Sequence, residues 1–213
     1  MFIIVCTLYY IDFWRVLIVQ RCVMDLFLTC ALISSSTVLY SFIWKNPSRW
    51  ASLVGKQNNP STVLSYVSFV LKILQFTSCF LLATKNLPHF GLQTFIHKAS
   101  TNVISSFLLS LLFVLGQVLN LSVYYKLTRQ GVYYGAVLGY KIKWVNEFPY
   151  IISGYTIPDP QYIGCMITAL SILLWVGDVS TSISLALIFW ILNYVFLCLL
   201  EKTTPGKFDS KVT

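Results

Sequence analysis

Between positions 103 and 125 the sequence reads VISSFLLSLLFVLGQVLNLSVYY, without one charged side chain. A helix of about 20 such residues crosses the hydrocarbon of a bilayer. Comparable runs lie at 22–44, interrupted by Asp25, and at 62–83, interrupted by Lys72. Two shorter ones, 163–176 and 183–200, are joined through Gly177-Asp178. Inside lipid the backbone must satisfy its own hydrogen bonds, so runs of this length are helices. Only 10% of the residues are charged, against about 25% in a soluble domain, which leaves too little polar surface to cover a globule in water. The expected fold is an all-α integral membrane protein of four to five hydrophobic helices in one bundle, the last two forming a hairpin. Residues 1–202 make one transmembrane domain and 203–213 a cytosolic tail. Residues 1–20 lack a basic leading region and no small-residue cleavage site follows. They read as a membrane-associated helix that is kept, not as a signal peptide.

Lys and Arg number 15 against 7 Asp and Glu, a net charge of +8. The basic residues fall between the apolar runs, at Lys45, Arg49 and Lys56 and again at Lys126, Arg129, Lys141 and Lys143. The positive-inside rule then puts the 45–61 and 126–160 loops in the cytosol, and the hairpin returns the tail to that side. Such charge meets anionic lipid rather than nucleic acid, for which no basic and aromatic surface exists. The 6 cysteines all lie in apolar runs, without C-x-x-C spacing, and read as small buried apolar residues rather than disulfide or metal ligands. No metal site is expected. There is no internal repeat, and Lys72 alone is charged deep in a span, which argues against a transporter.

The remaining polar groups concentrate between Gly116 and Gln161 and at Glu201. Gly116 permits close approach of a neighbouring helix or of a ligand, and Gln117 and Asn120 add amides at depth. Gly131, Gly135 and Gly139 stand at four-residue spacing, the pattern of a helix-packing face. Without a preceding strand or a G-x-G-x-x-G spacing they do not form a Rossmann nucleotide site. Tyr133, Tyr134 and Trp144 suit either a membrane interface or contact with a cation. A Lys at the position of Lys72 costs about 2.5–3.5 kcal/mol on insertion scales. It either snorkels to the interface or meets a phosphate or carboxylate inside the bundle.

The order of these elements is more informative than any one of them. Gly131-Val-Tyr-Tyr-Gly135-x-x-x-Gly139 is followed by Trp144-Val-Asn-Glu-Phe-Pro149, then by Asp159-Pro-Gln-Tyr-Ile-Gly164, then by a hairpin ending at Glu201. This run resembles the phospholipid N-methyltransferases. Trp44-Lys-Asn-Pro47 and Val70-Leu-Lys-Ile-Leu-Gln75 look like the plant-type phosphatidyl-N-methylethanolamine subgroup, and the likeness spans roughly positions 42–202. The resemblance implies a multi-pass protein of the endoplasmic reticulum that methylates a membrane phospholipid, giving phosphatidylcholine, with S-adenosylmethionine as methyl donor. It places a cofactor-binding glycine motif on Val114, Leu115 and Gly116 and an acidic motif on Glu201 and Lys202. Animal members carry two acidic residues at that second motif, so Lys202 is a departure. Tyr133, Tyr134 and Tyr162 are expected to cradle the methylated ammonium of the substrate. Glu147, Asp159 and Glu201 stand as general-base candidates, with His89 and His97 placed on the opposite side of the membrane. Isoprenylcysteine carboxyl methyltransferases share the setting and the donor, but show Arg-His-Pro where this chain has Pro158-Asp159-Pro160.

Overall fold

The computed structural model describes residues 2–86, 102–176 and 181–203. The chain forms α1 (Phe2–Lys45), α2 (Pro47–Val54), α3 (Pro60–Asn86), α4 (Val103–Val132), α5 (Pro160–Val176) and α6 (Thr181–Thr203). A two-residue hairpin, β1 (Ile151–Ile152) with β2 (Tyr155–Thr156), is antiparallel and pairs Ile151 with Thr156. Among the described residues, four helical segments are long and apolar enough to cross a bilayer: Val23–Lys45, Pro60–Thr84, Val103–Val132 and Thr181–Lys202. Pro160–Trp175 is apolar but shorter, as the sequence led one to expect for one arm of the hairpin. The segment read as a membrane-associated helix over positions 1–20 is helical and continuous with the first span, α1 running from Phe2 to Lys45. The protein is a multi-pass membrane protein.

Each span turns an apolar face outward and a mixed face inward. Phe69, Ile73, Phe76 and Phe80 of α3 and Phe107, Leu111, Val114, Val118 and Leu121 of α4 are exposed, as lipid-facing residues are. The inward stripe of α6 is Ile183, Ala186, Leu187, Trp190, Tyr194 and Leu197, all buried, at the three- and four-residue spacing of one helix face. Ile33 of α1, Leu82 of α3 and Tyr162 of α5 close this core.

Lipid tails are as apolar as leucine, so close backbone packing and buried hydrogen bonds must hold the helices to one another. Gln75 of α3 is fully buried and donates to the carbonyls of Leu32 and Ile33 and to Ser36 Oγ at 3.0, 3.2 and 2.7 Å, fastening α3 to α1. The crossing of α4 and α5 depends on two facing glycines. A Cβ at Gly116 would lie 2.7 Å from the Gly164 carbonyl oxygen, and one at Gly164 would lie 2.6 Å from that of Gly116. Gln117 donates to Thr168 Oγ1 at 2.9 Å beside this contact, and Ser171 donates to the Leu109 carbonyl at 2.8 Å further along the same crossing.

Helix direction then gathers one end of every span at a single face. Trp44 at the end of α1 packs on Tyr134, just beyond the end of α4. Ser61 at the start of α3 donates to the Tyr133 carbonyl at 3.1 Å. Tyr162 in the first turn of α5 reaches Glu201 at the end of α6. These contacts are what the loop charges called for, with the 46–59 and 133–159 connections and the end of α6 on the same side.

Replacing Gly164 with Ala should force α4 and α5 apart and cost about 1–3 kcal/mol, the usual range for overpacking. The check is the denaturation midpoint of the purified protein in detergent. A midpoint equal to that of the unmodified protein would refute the crossing.

Candidate active site

The polar face is built by a break in α4. Thr128 leaves helical geometry at φ 60° and ψ −178°, although hydrogen bonding continues to Val132. Arg129, one residue on, lies over the ring of Tyr66 in α3, 5.2 Å from its centroid. The chain then turns at Tyr134, whose φ is 54°. A non-glycine residue in this left-handed region carries strain that packing must hold in place. Gly135 N–H donates to the Gln130 carbonyl at 2.8 Å, and Tyr140 N–H to the Gly135 carbonyl at 2.8 Å. Gly131, Gly135 and Gly139 therefore form no helix-packing face: the first ends α4 and the other two lie in the turn that follows.

That turn aims Tyr134 into the bundle. Its ring meets Tyr40 edge-on at 5.6 Å and Trp44 at 5.4 Å. Its hydroxyl donates to Glu201 Oε1, which also accepts from Tyr162 at 2.7 Å. The two hydroxyls are 3.2 Å apart. Burial, and after it the Glu201 carboxylate, pushes the Tyr134 phenol well above its usual range, so this hydroxyl stays a donor. Among the described residues Glu201 Oε2 accepts no hydrogen bond. The carboxylate is thus anchored through one oxygen and open at the other.

Glu201 and Lys202 line a cavity of about 240 Å³ at this face. Trp44, Gly131, Tyr134, Asp159 and Tyr162 complete its polar and aromatic wall. Asp159 also has positive φ, at 47°, and burial raises its carboxyl while Lys202 draws it back. Tyr150, on the same wall, is pushed up to about 12 by burial.

A second cavity, about 270 Å³, lies deeper. Tyr40, Lys72, Phe76, Asn120, Tyr124, Tyr133, Trp190 and Tyr194 are among its lining residues. Gln161 and Tyr162 line both cavities and so form the partition between them. Phe76, 59% exposed on the outward face of α3, is one of its lining residues, which sets this cavity against the lipid-facing surface of the bundle.

The residues singled out from sequence separate into groups. Glu201, Lys202, Tyr134 and Tyr162 come together around the first cavity, and Tyr133 lines the second. Val114 and Leu115 are half exposed on the lipid-facing side of α4, and Gly116 is buried against α5, so these three line neither cavity. Of the general-base candidates, Asp159 and Glu201 are in the first cavity. Glu147 is outside both: its exposed carboxylate pairs with Lys126 at 2.5 Å, which holds it below the usual range. His89 and His97 lie outside the described residues. Trp44 had entered only through the resemblance, and the sequence reading had not singled out Tyr40, Trp190 or Tyr194. Trp190, Tyr194 and Glu201 fall four and seven residues apart on one face of α6, a periodic signal that was there to be read.

A family model described as phospholipid methyltransferase matches residues 104–207. The chain is 35% identical over 166 residues to the phosphatidyl-N-methylethanolamine N-methyltransferase of Arabidopsis thaliana, covering 76% of this chain and 83% of that one. No solved structure matches it. With that share of a relative covered at that identity, the chain belongs to the phospholipid methyltransferase family.

Proposed function

We propose that this protein transfers methyl groups from S-adenosylmethionine to the amine of phosphatidyl-N-methylethanolamine and of its dimethyl product, yielding phosphatidylcholine. The observation that carries this reading is the pair of cavities meeting at Gln161 and Tyr162, one opening at the polar face and one toward lipid. A water-soluble donor and a membrane-bound acceptor need separate entrances that converge where the methyl group and the amine can touch. The family likeness supports the endoplasmic reticulum as the membrane concerned.

The first cavity fits the donor by its chemistry. Glu201 Oε2 and the Asp159 carboxylate accept hydrogen bonds from amino and hydroxyl groups, Lys202 suits a carboxylate, and Trp44 and Tyr134 offer aromatic surface. When bound, S-adenosylmethionine supplies a methyl group on a positively charged sulfur. Tyr134 and Tyr162 hold Glu201 in place by hydrogen bonds made before any ligand arrives, so the carboxylate is preorganised. Gly116 then serves this site through the α4–α5 crossing, which sets where Tyr162 stands, while Val114 and Leu115 face outward.

The acceptor amine is protonated in water, with a pKa near that of a lysine side chain, about 10.4. It must lose that proton to attack. The second cavity favours the neutral form, because desolvation disfavours the charged one. The rings of Tyr133 and Tyr162 face a cation without demanding a hydrogen bond from it, which suits an amine that loses an N–H at each methylation. Asp159 and Glu201, which line the adjoining cavity, are the candidates to take the proton.

Membranes carrying the protein, given donor labelled in its methyl group, should place the label in phosphatidylcholine when supplied with the monomethylated lipid. Label on protein instead would favour the carboxyl methyltransferase class, and none would refute methyl transfer altogether. Glu201→Gln should raise the KM for donor about tenfold or more while leaving that for lipid unchanged, because it removes charge from hydrogen bonds worth about 1.5–3 kcal/mol. A donor KM that does not move would take Glu201 out of the donor site. The raised Asp159 carboxyl gives a pH signature as well. It contributes to donor binding when ionised and loses that contribution as pH falls through its raised pKa, so donor KM should climb on acidification. In Asp159→Asn the climb should disappear, and a persistent climb would assign it to another group.

A further inference from the structure

We propose that the second cavity is the headgroup site of the acceptor lipid and that Lys72 grips its phosphodiester. This rests on the methyltransferase reading above and adds the acceptor subsite to it. Lys72 is twelve residues into α3 from Pro60, about 18 Å along a helix, and its ammonium is held there rather than drawn out to water. It donates to the Tyr194 hydroxyl at 2.5 Å and lies 5.1 and 5.0 Å from the ring centroids of Trp190 and Tyr194. Among the described residues no carboxylate pairs with it. Two aromatic faces and one phenol steady a cation but do not neutralise it, so the charge is available to an anion that enters the cavity.

A second, independent feature in the same cavity points to a ligand that is also a hydrogen-bond donor. Asn120 lines it, and its side-chain oxygen is buried with no hydrogen-bond partner. Buried acceptors are rarely left unmatched except where function uses them. A positive group for an anion and a free acceptor for an N–H together match a phosphodiester joined to an alkylated amine. The monomethyl acceptor offers Asn120 an N–H in either protonation state, the dimethyl acceptor only until it gives up its proton, and the quaternary product never. The anion belongs to the lipid rather than to the donor's carboxylate for two reasons. The cavity lies against the lipid-facing surface at Phe76, and the cavity at the polar face has a lysine of its own, Lys202. Tyr40, Lys72 and Phe76 also come from α1 and α3, outside the stretch matched by the family model.

The experiment is steady-state methyl transfer by the purified full chain in mixed micelles, varying phosphatidyl-N-methylethanolamine and S-adenosylmethionine separately. Lys72→Met should raise the KM for lipid about tenfold or more, the loss expected for a charged hydrogen bond, and leave the KM for donor unchanged. Lys72→Arg should restore most of the lipid affinity, which a merely packing role for the lysine stem would not require. Removing a charge from mid-span favours insertion, so Lys72→Met is not expected to misfold. A raised donor KM with an unmoved lipid KM would give Lys72 to the donor's carboxylate and overturn the proposal. Unmoved values for both, or an Arg variant no better than Met, would overturn it too. Inactivity of the unmodified protein would instead sink the methyltransferase reading, so the two failures are distinguishable.

Discussion

One carboxylate oxygen ties the working end of this bundle together. Glu201 Oε1 accepts from Tyr134, which follows the break in α4, and from Tyr162, in the first turn of α5. Three chain segments distant in sequence are thereby set against one another near a membrane boundary, where a charged acceptor strengthens each bond relative to a neutral one. Tyr134 carries the connection on to α1 through Tyr40 and Trp44, and Tyr162 carries it inward to Tyr194, 5.9 Å between ring centroids. The first path builds the wall of the polar cavity and the second leads to Lys72.

This arrangement resolves a problem of solvents. The donor is ionic and belongs in water, whereas the acceptor cannot leave the bilayer. Two cavities that share only Gln161 and Tyr162 in their lining let each reactant approach from its own phase. The polar side offers carboxylates and a lysine. The lipid side offers aromatic rings, amides and one cation held by Tyr194. Such a division makes positioning, rather than an unusually reactive side chain, the source of acceleration.

Much of the architecture was legible in the chain itself. Long runs with scarcely a charge demand helices across lipid. The weaker hairpin arm was legible because α5 is short, with Pro160 at its start. Geometry that depends on a single backbone angle was not. Nothing in Lys126-Leu-Thr128 announces φ 60° at Thr128, and without that break the direction of Tyr134 cannot be deduced. The spacing of Gly131, Gly135 and Gly139 imitates a packing face, yet the packing glycines are Gly116 and Gly164, on different helices and recognisable only once α4 and α5 cross. Lys72 was conspicuous as a charge in lipid, but its partners lie 118 and 122 positions away in α6, a distance at which one sequence carries no pairing information.

The central claim is that donor and acceptor enter separate cavities and meet at the junction lined by Gln161 and Tyr162. Cryo-electron microscopy of the full chain in lipid nanodiscs, with S-adenosylhomocysteine and phosphatidyl-N-methylethanolamine added, tests it most directly. The account predicts nucleoside density against Glu201 and Lys202 and phosphate density beside Lys72. Nucleoside density in the Lys72 cavity, or on the outer surface of α4 at Val114 and Leu115, would contradict it.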